Sequence, residues 1–439
     1  MIFRTKPQAI KDYFNSKEYL SQSLGKALAD GLDEYNKMLN PVESDKLYFE
    51  EPQDYFITGS AVDAMLTQGE DTFFDDYHIS EATSKPSDAI ISIYMQVLDK
   101  VRQDYLADHV DDEVTLSQYW SSMIQQGTKD AYVIEACDAH NYQARWGAEA
   151  RLNAVKIESD YFTDLIASDG KKVLSQNEYT KVLDIVKSIR GLYGVQHLFD
   201  ESLLFDRFKH VLFQVPIYYT TNGIRKRALL DMVYIDMVRG IITPFDLKTM
   251  SGRTFDFISS FHLRRYDIQA AWYRDAIQFG NLGETIENNM YYVNPGVIDP
   301  ESDHEDNGNS ELVKAHYDGL TERLCANVHG GWLGKNFKFI VESTTSTGNP
   351  MLFYVNEDSL KIARSGQPTI YGDGVTLKGA IHSFMDRKFR IGIQQIDALY
   401  KFYSLYGFEK DYRHHNLSGD NEGTYIDVVK GNDQYDRLF

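Results

Sequence analysis

Three runs of β-forming residues, separated by two short turns, constrain residues 214–248 more tightly than any other part of the chain. Gln214 to Thr221 and Ile224 to Ile235 are rich in branched and aromatic side chains and flank Asn222-Gly223. That pair suits the left-handed backbone angles of a two-residue hairpin turn. A third apolar run, Ile241 to Lys248, follows a turn near Val238-Arg239-Gly240. The pattern predicts a three-stranded antiparallel meander. A two-residue turn sets Thr221 against Ile224, hence Tyr218 against Arg227 and Gln214 against Asp231. Unbroken alternation then puts Gln214, Arg225, Arg227 and Asp231 on one face of the hairpin. It also puts Asp246 and Lys248 together on one face of the third strand. Pro216 has no N–H to give, so the first strand is expected to be an edge there.

A helix is expected over His262 to Phe279, with Tyr266, Gln269, Tyr273 and Ile277 on one side at spacings of three and four. The order is therefore Asp231 on a strand, Asp246-Leu247-Lys248 on the next, then Gln269 and Tyr273 on a helix. An Asp-x-Lys tripeptide alone is common, and amphipathic helices produce Gln-x-x-x-Tyr freely; the ordered set is what carries information. Two carboxylates fifteen residues apart offer hard oxygens that suit Mg²⁺ or Mn²⁺. Such a cation can polarise a phosphate and generate a hydroxide nucleophile.

These residues resemble the PD-(D/E)xK nuclease superfamily. Leu229-Leu230-Asp231, Asp246-Leu247-Lys248-Thr249 and Gln269-Ala270-Ala271-Trp272-Tyr273 are similar to its RecB-like and lambda-exonuclease-like branch. Thr58 to Leu66 resembles that branch's N-terminal motif helix, and Lys338 to Glu342 its later core strand. The resemblance implies a restriction-endonuclease-like α/β core, a central mixed sheet flanked by helices, with helical N- and C-terminal additions. It implies Asp231 and Asp246 as central Mg²⁺ ligands, Asp63 as a third and the Leu247 carbonyl as a fourth. Lys248 would help deprotonate the attacking water or stabilise developing charge, and Gln269 and Tyr273 would orient Lys248 or the scissile strand. Two positions depart from the pattern. Asp63 stands where the branch carries a histidine, and Gln214 offers only a neutral carbonyl where an acid is frequent. Arg225, Arg227 and Gln214 are the candidate substrate contacts. The expected activity is that of a DNA exonuclease in recombination or repair, working beside a single-strand annealing protein. A structure- or site-specific endonuclease and a silent DNA-binding or scaffold module of the same fold stay open.

Taken alone, the formal net charge of −20 opposes a DNA partner. Residues 205–275, however, contain 11 Lys or Arg against 7 Asp or Glu. A locally basic region on an acidic body suits an enzyme that must release DNA, rather than a tight static binder that relies on many phosphate contacts. Two cysteines, Cys137 and Cys325, cannot ligate an iron–sulfur cluster within one chain and argue against a disulfide scaffold. No membrane span or apolar leader is expected, so a cytoplasmic location in a bacterial or phage-infected cell fits. A homo-oligomer is left open.

Along the chain, residues 1–200 read as a mostly helical N-terminal region that includes the motif helix with Gly59 and Asp63. Residues 201–375 read as the core, and 376–439 as a helical C-terminal region packed on it. Asp299 to Glu311 is acidic and turn-rich, expected as an exposed loop. His414-His415 reads as a solvated pair.

Overall fold

A computed structural model describes residues 1–39, 54–108, 128–157, 161, 163–164, 168, 171–293, 309–334, 336–366, 391–406 and 408. Two compact units emerge. One comprises Met1–Val42 with Ile189–Phe439, the other Glu43–Ser188.

The first unit opens with strand β1 (Ile2–Thr5), helix α1 (Pro7–Asn15), strand β2 (Leu20–Ser21) and helices α2 (Gln22–Asp30) and α3 (Leu32–Leu39). Within the region expected to be mostly helical, the first residues form a strand instead. Ile2–Thr5 pairs with the central sheet and buries Phe3, and Pro7 starts α1 only after that strand has ended. The second unit holds α4 (Asp54–Thr67), α5 (Glu70–Asp76), β3 (Tyr77–Ile79), α6 (Asp88–Asp108), α7 (Thr128–Ala139), α8 (Ala148–Lys156), β4 (Lys172–Leu174) and α9 (Gln176–Gly191). β3 and β4 form a short parallel pair, and Tyr94, Val97, Val133 and Val155 lie within one apolar core. The motif segment from Thr58 to Leu66 is helical, as expected, within α4.

The chain then supplies β5 (Lys209–Thr221), β6 (Ile224–Asp236) and β7 (Ile241–Met250), the meander read from the sequence. Asn222 and Gly223 adopt φ of 52° and 74° and close the hairpin with Thr221 against Ile224. Next come α10 (Phe257–Leu263), α11 (Tyr266–Phe279), α12 (Leu282–Asn289), β8 (Met290–Tyr292), α13 (Asn309–Asn327), β9 (Phe337–Ser343), β10 (Met351–Val355), α14 (Glu357–Ser365) and α15 (Ile393–Tyr406). The sheet runs β10-β9-β7-β6-β5-β1-β8, with β2 beside β6. It is mixed: β1 runs parallel to β5, β2 to β6 and β9 to β7, while the other pairs are antiparallel. The fold is thus α/β, a central mixed sheet flanked by helices. β1 reaches β5 only at Val211–Phe213, so Pro216 lies beyond it with no partner strand needed on that side. Among the described residues no helix is long and apolar enough to cross a membrane. The acidic stretch expected as a loop falls outside the described residues up to 308, and its last residues begin α13. His414-His415 and most of the expected C-terminal region also lie outside them.

One expected helix is two. His262 to Phe279 breaks at Arg265, whose backbone is left-handed at φ 51° and ψ 50°. A non-glycine residue there costs on the order of 1 kcal/mol, so something must hold it. Its buried guanidinium grips Asp267 through two bonds of 2.9 and 3.0 Å and donates to the Ile391 carbonyl at 2.8 Å.

Trp272 of α11 is fully buried against the hairpin. Its indole N–H donates to the Arg227 carbonyl at 3.0 Å, and Lys226 Nζ lies 4.6 Å from its ring centre. Lys226 is itself buried and pairs with Asp397 of α15 at 2.6 Å. The hairpin residue Asn222 also donates to Asp397, at 2.9 Å. Burial lowers the Lys226 pKa, and Asp397 works against that shift. Removing one member of a buried pair strands the other charge. Asp397→Ala is therefore expected to lower the unfolding free energy by about 3–5 kcal/mol, while the combined Lys226→Met and Asp397→Leu change recovers most of it. Urea denaturation of the single and double variants measures this. Equal losses in both would show that the pair does not hold α15 to the hairpin.

Candidate metal and phosphate site

The site forms where β6 and β7 separate. They pair from Asp236↔Ile241 to Met232↔Phe245 and no further, after which β7 continues against β9 through Met250. Because β5 occupies the other edge of β6, β7 and β2 share one edge, at 232–236 and 226–227. Asp231 sits in the gap. Its Oδ2 accepts the Leu247 backbone N–H at 2.7 Å, so a carboxylate takes the place of a neighbouring strand.

Side-chain direction changes at the same point. On β5, Leu212, Val215, Ile217 and Tyr219 face the main core; on β6, Ala228, Leu230, Val233 and Ile235 do. Both series shift from even to odd or odd to even around Gln214 and Asp231. Gln214 has φ 55°, and neither residue is a ladder partner, although Phe213↔Met232 and Val215↔Leu230 bracket them. The expected count is kept, with Gln214 across from Asp231, but the expected common face is not. Arg225 and Arg227 stay on the α1 side. Asp231, in phase with Val233 and Ile235, comes round to Lys248.

Asp246 is fully buried. Gln269 Nε2 donates to its Oδ1 at 2.8 Å and to the Tyr273 hydroxyl at 3.2 Å. A carboxylate can only accept, so this contact fixes the orientation of the Gln269 amide. The other Asp246 oxygen forms an ion pair with Lys248 Nζ, which also donates to the Leu247 carbonyl at 3.3 Å. Lys248 keeps 20 % of its side chain exposed and lies 5.3 Å from the centre of the Tyr266 ring. The structure thus brings together Asp231, Asp246, Leu247, Lys248, Gln269 and Tyr273. Tyr266 and Lys26 join them. Lys26 donates to the Arg264 carbonyl at 3.2 Å, and its charge favours ionised Asp246. No sequence pattern pointed to Lys26, because a helix some two hundred residues upstream carries no marker of what it will face.

Burial pushes the Asp246 carboxyl up, with Lys248 opposing. For Lys248, burial disfavours the ammonium, but Asp246 and Asp231 outweigh it and hold the amine above the ordinary lysine value. Both shifts are upward, Asp246 because it is buried and Lys248 because of the two carboxylates beside it. The ion pair is the resting state we favour, since the ammonium has a second carboxylate and a carbonyl, and Asp246 has the Gln269 amide. Burial also drives Tyr273 well above the usual tyrosine range, so it acts as a neutral hydroxyl.

The two candidate arginines have other partners. Arg227 is buried, donates to the Tyr13 carbonyl and lies 4.9 Å from that ring's centre, so it ties α1 to the sheet. Arg225 is exposed and lies 5.3 Å from the Tyr19 ring centre. Thr5 Oγ1 donates to the Gln214 carbonyl at 2.7 Å, which helps hold the irregular backbone. Asp63 belongs to the second unit, where its charge acts on Tyr77. Glu342 of the expected core strand is buried, and its Oε1 accepts the Ser343 N–H at 2.8 Å.

Among the described residues no group of three or more His, Cys, Asp or Glu side chains is placed to hold a metal. The set at the fork is two carboxylates and one carbonyl. All three are hard oxygens that fit Mg²⁺ or Mn²⁺, which keep several waters when bound by few protein ligands. The chain matches no family model, and no curated protein matches it.

Lys248→Met leaves Asp246 buried without its counter-charge, which should cost on the order of 3 kcal/mol near neutral pH. The pH dependence has a fixed sign. A carboxyl whose folded pKa is raised contributes stability below its unfolded pKa and loses it as pH rises through the folded pKa. The variant should therefore gain stability relative to the parent as pH falls from neutral into the acidic range. Denaturation midpoints across that range read the effect, and parallel curves for both proteins would contradict the ion pair.

Proposed function

We propose that the chain is a metal-dependent deoxyribonuclease with a restriction-endonuclease-like core, acting as an exonuclease in recombination or repair. The observation that carries this reading is the convergence of Asp231, Asp246 and Lys248 at the β6–β7 fork, with the Leu247 carbonyl beside them. A silent scaffold has no use for such an arrangement. Burying an ion pair is no more stabilising than apolar side chains of the same volume, so chemistry is the better reason to bury Asp246 against Lys248.

In this reading Asp231, Asp246 and the Leu247 carbonyl hold Mg²⁺ or Mn²⁺. When bound, the ion supplies Lewis-acid polarisation of the phosphate and a water acidic enough to attack near neutral pH. Gln269 fixes the rotamer of Asp246, leaving the oxygen that faces Lys248 directed into the fork. Tyr273 backs the Gln269 amide as a hydroxyl. Lys248 enters as an ammonium, since two carboxylates stabilise its charge. In that state it would stabilise negative charge gathering on the phosphate as a hydrogen-bond donor, and it could accept a proton from water only after giving up its own. The 20 % exposure of Lys248 gives the substrate side of the fork.

Asp231→Asn and Asp246→Asn are expected to abolish Mg²⁺-dependent degradation of linear duplex DNA by folded protein. Lys248→Ala should lower turnover on the order of 10²–10⁴-fold, and Lys248→Arg should not restore it, because a guanidinium differs in shape and stays protonated. Release of acid-soluble nucleotides from linear and from covalently closed circular DNA is the measurement. Attack on linear DNA alone supports the exonuclease; equal attack on the circle makes the protein an endonuclease. Full activity in either aspartate variant removes the fork as the site.

A further inference from the structure

The segment between Lys248 and Tyr266 starts and ends at the proposed catalytic group, and its outer surface exposes apolar side chains among charged ones. Phe255 is 64 % exposed and Ile258 47 %. Three residues apart on successive helical turns, they project from one side. Single exposed apolar residues are ordinary on a protein surface. These two differ in their support and in their neighbours. Beneath them, Phe257 is buried between Tyr266, Phe339 and Phe353, with ring centres 5.6, 5.4 and 4.9 Å away. The base of the element is therefore rigid, and Tyr266 links it to Lys248.

Cations flank the apolar pair. Arg253 leaves 80 % of its side chain in solvent, and its two contacts to Asp256, both 3.1 Å, are of the exposed kind that contributes little stability. A phosphate can compete for it. Arg264 is exposed at the other end, where Lys26 fixes its carbonyl. Aromatic and apolar side chains beside arginines form the pattern that binds single strands without sequence preference.

We propose that the outer face of this β7–α11 crossover binds the unpaired end of a DNA strand. Bases rest on Phe255 and Ile258, and Arg253 and Arg264 meet the adjacent phosphates. The proposal rests on the nuclease reading, because continuity with the fork is what selects DNA as the occupant. It gives the site a way to take a melted terminus and lead the backbone toward Lys248.

The test uses the full chain with Phe255→Ala and Phe255→Trp. Binding of a fluorescent single-stranded oligonucleotide is followed by anisotropy in EDTA, and hydrolysis of linear duplex in Mg²⁺. Phe255→Ala is expected to weaken oligonucleotide binding about tenfold or more and to raise KM more than it lowers kcat. Its thermal midpoint should not move, and Phe255→Trp should restore binding. Unchanged affinity and KM in Phe255→Ala overturn the proposal, as does a loss that Phe255→Trp does not restore. A dimer that Phe255→Ala turns into a monomer in sedimentation also overturns it, since the face then joins copies of the chain. The two readings fail separately. A parent protein that binds the oligonucleotide through Phe255 but hydrolyses no DNA keeps this surface and loses the nuclease. Hydrolysis that depends on Asp246 but ignores Phe255 does the reverse.

Discussion

The parting of β6 and β7 after Met232↔Phe245 governs the architecture around it. Two strands that stay paired fill each other's backbone groups and leave no room for chemistry. Two strands that part expose N–H and C=O groups, which cannot be left unmet in a buried place. Here Asp231 answers the Leu247 N–H, and β9 takes over the far side of β7 from Phe245 to Met250. The Leu247 N–H is thus met by a side chain, and its carbonyl accepts from Lys248. Helix α11 covers the opening, with Gln269 reaching Asp246 and Trp272 fastening the helix to the hairpin below.

Electrostatics explains why the cluster is built as it is. A lone buried carboxylate carries a penalty of several kcal/mol, and Asp246 is fully buried. Lys248 compensates it, and the Lys248 charge is in turn shared with Asp231. The ammonium therefore sits between two carboxylates and beside a carbonyl, which together stabilise its charge. The overall net charge of −20 does not act here, since beyond about 8 Å at physiological salt exposed charges are screened.

Much of this was legible in the sequence. Asn222-Gly223 fixed the hairpin, and a two-residue turn gave the pairing of Tyr218 with Arg227 without further information. The apolar run to Lys248 and the Gln269 and Tyr273 spacing placed the third strand of the meander and the helix that covers it. What the sequence hid were departures held by distant partners. The left-handed break at Arg265 depends on Asp267 and on the carbonyl of Ile391. The strand character of Ile2–Thr5 depends on β5, two hundred residues later. Arg227 looks like a solvated hairpin charge until Tyr13 covers it.

The matched irregularity at Gln214 and Asp231 has a consequence for how such a sheet can change over time. Both strands shift phase together, so the count between them is preserved while the inward and outward residues exchange roles. Losing a single residue from either strand would turn half of that strand inside out and carry Asp231 away from Lys248. Only paired losses, one on each side of the hairpin, keep the two halves in step. The spacing from Gln214 to Asp231 is therefore a quantity that insertions and deletions can alter only jointly, whatever happens to the side chains in between.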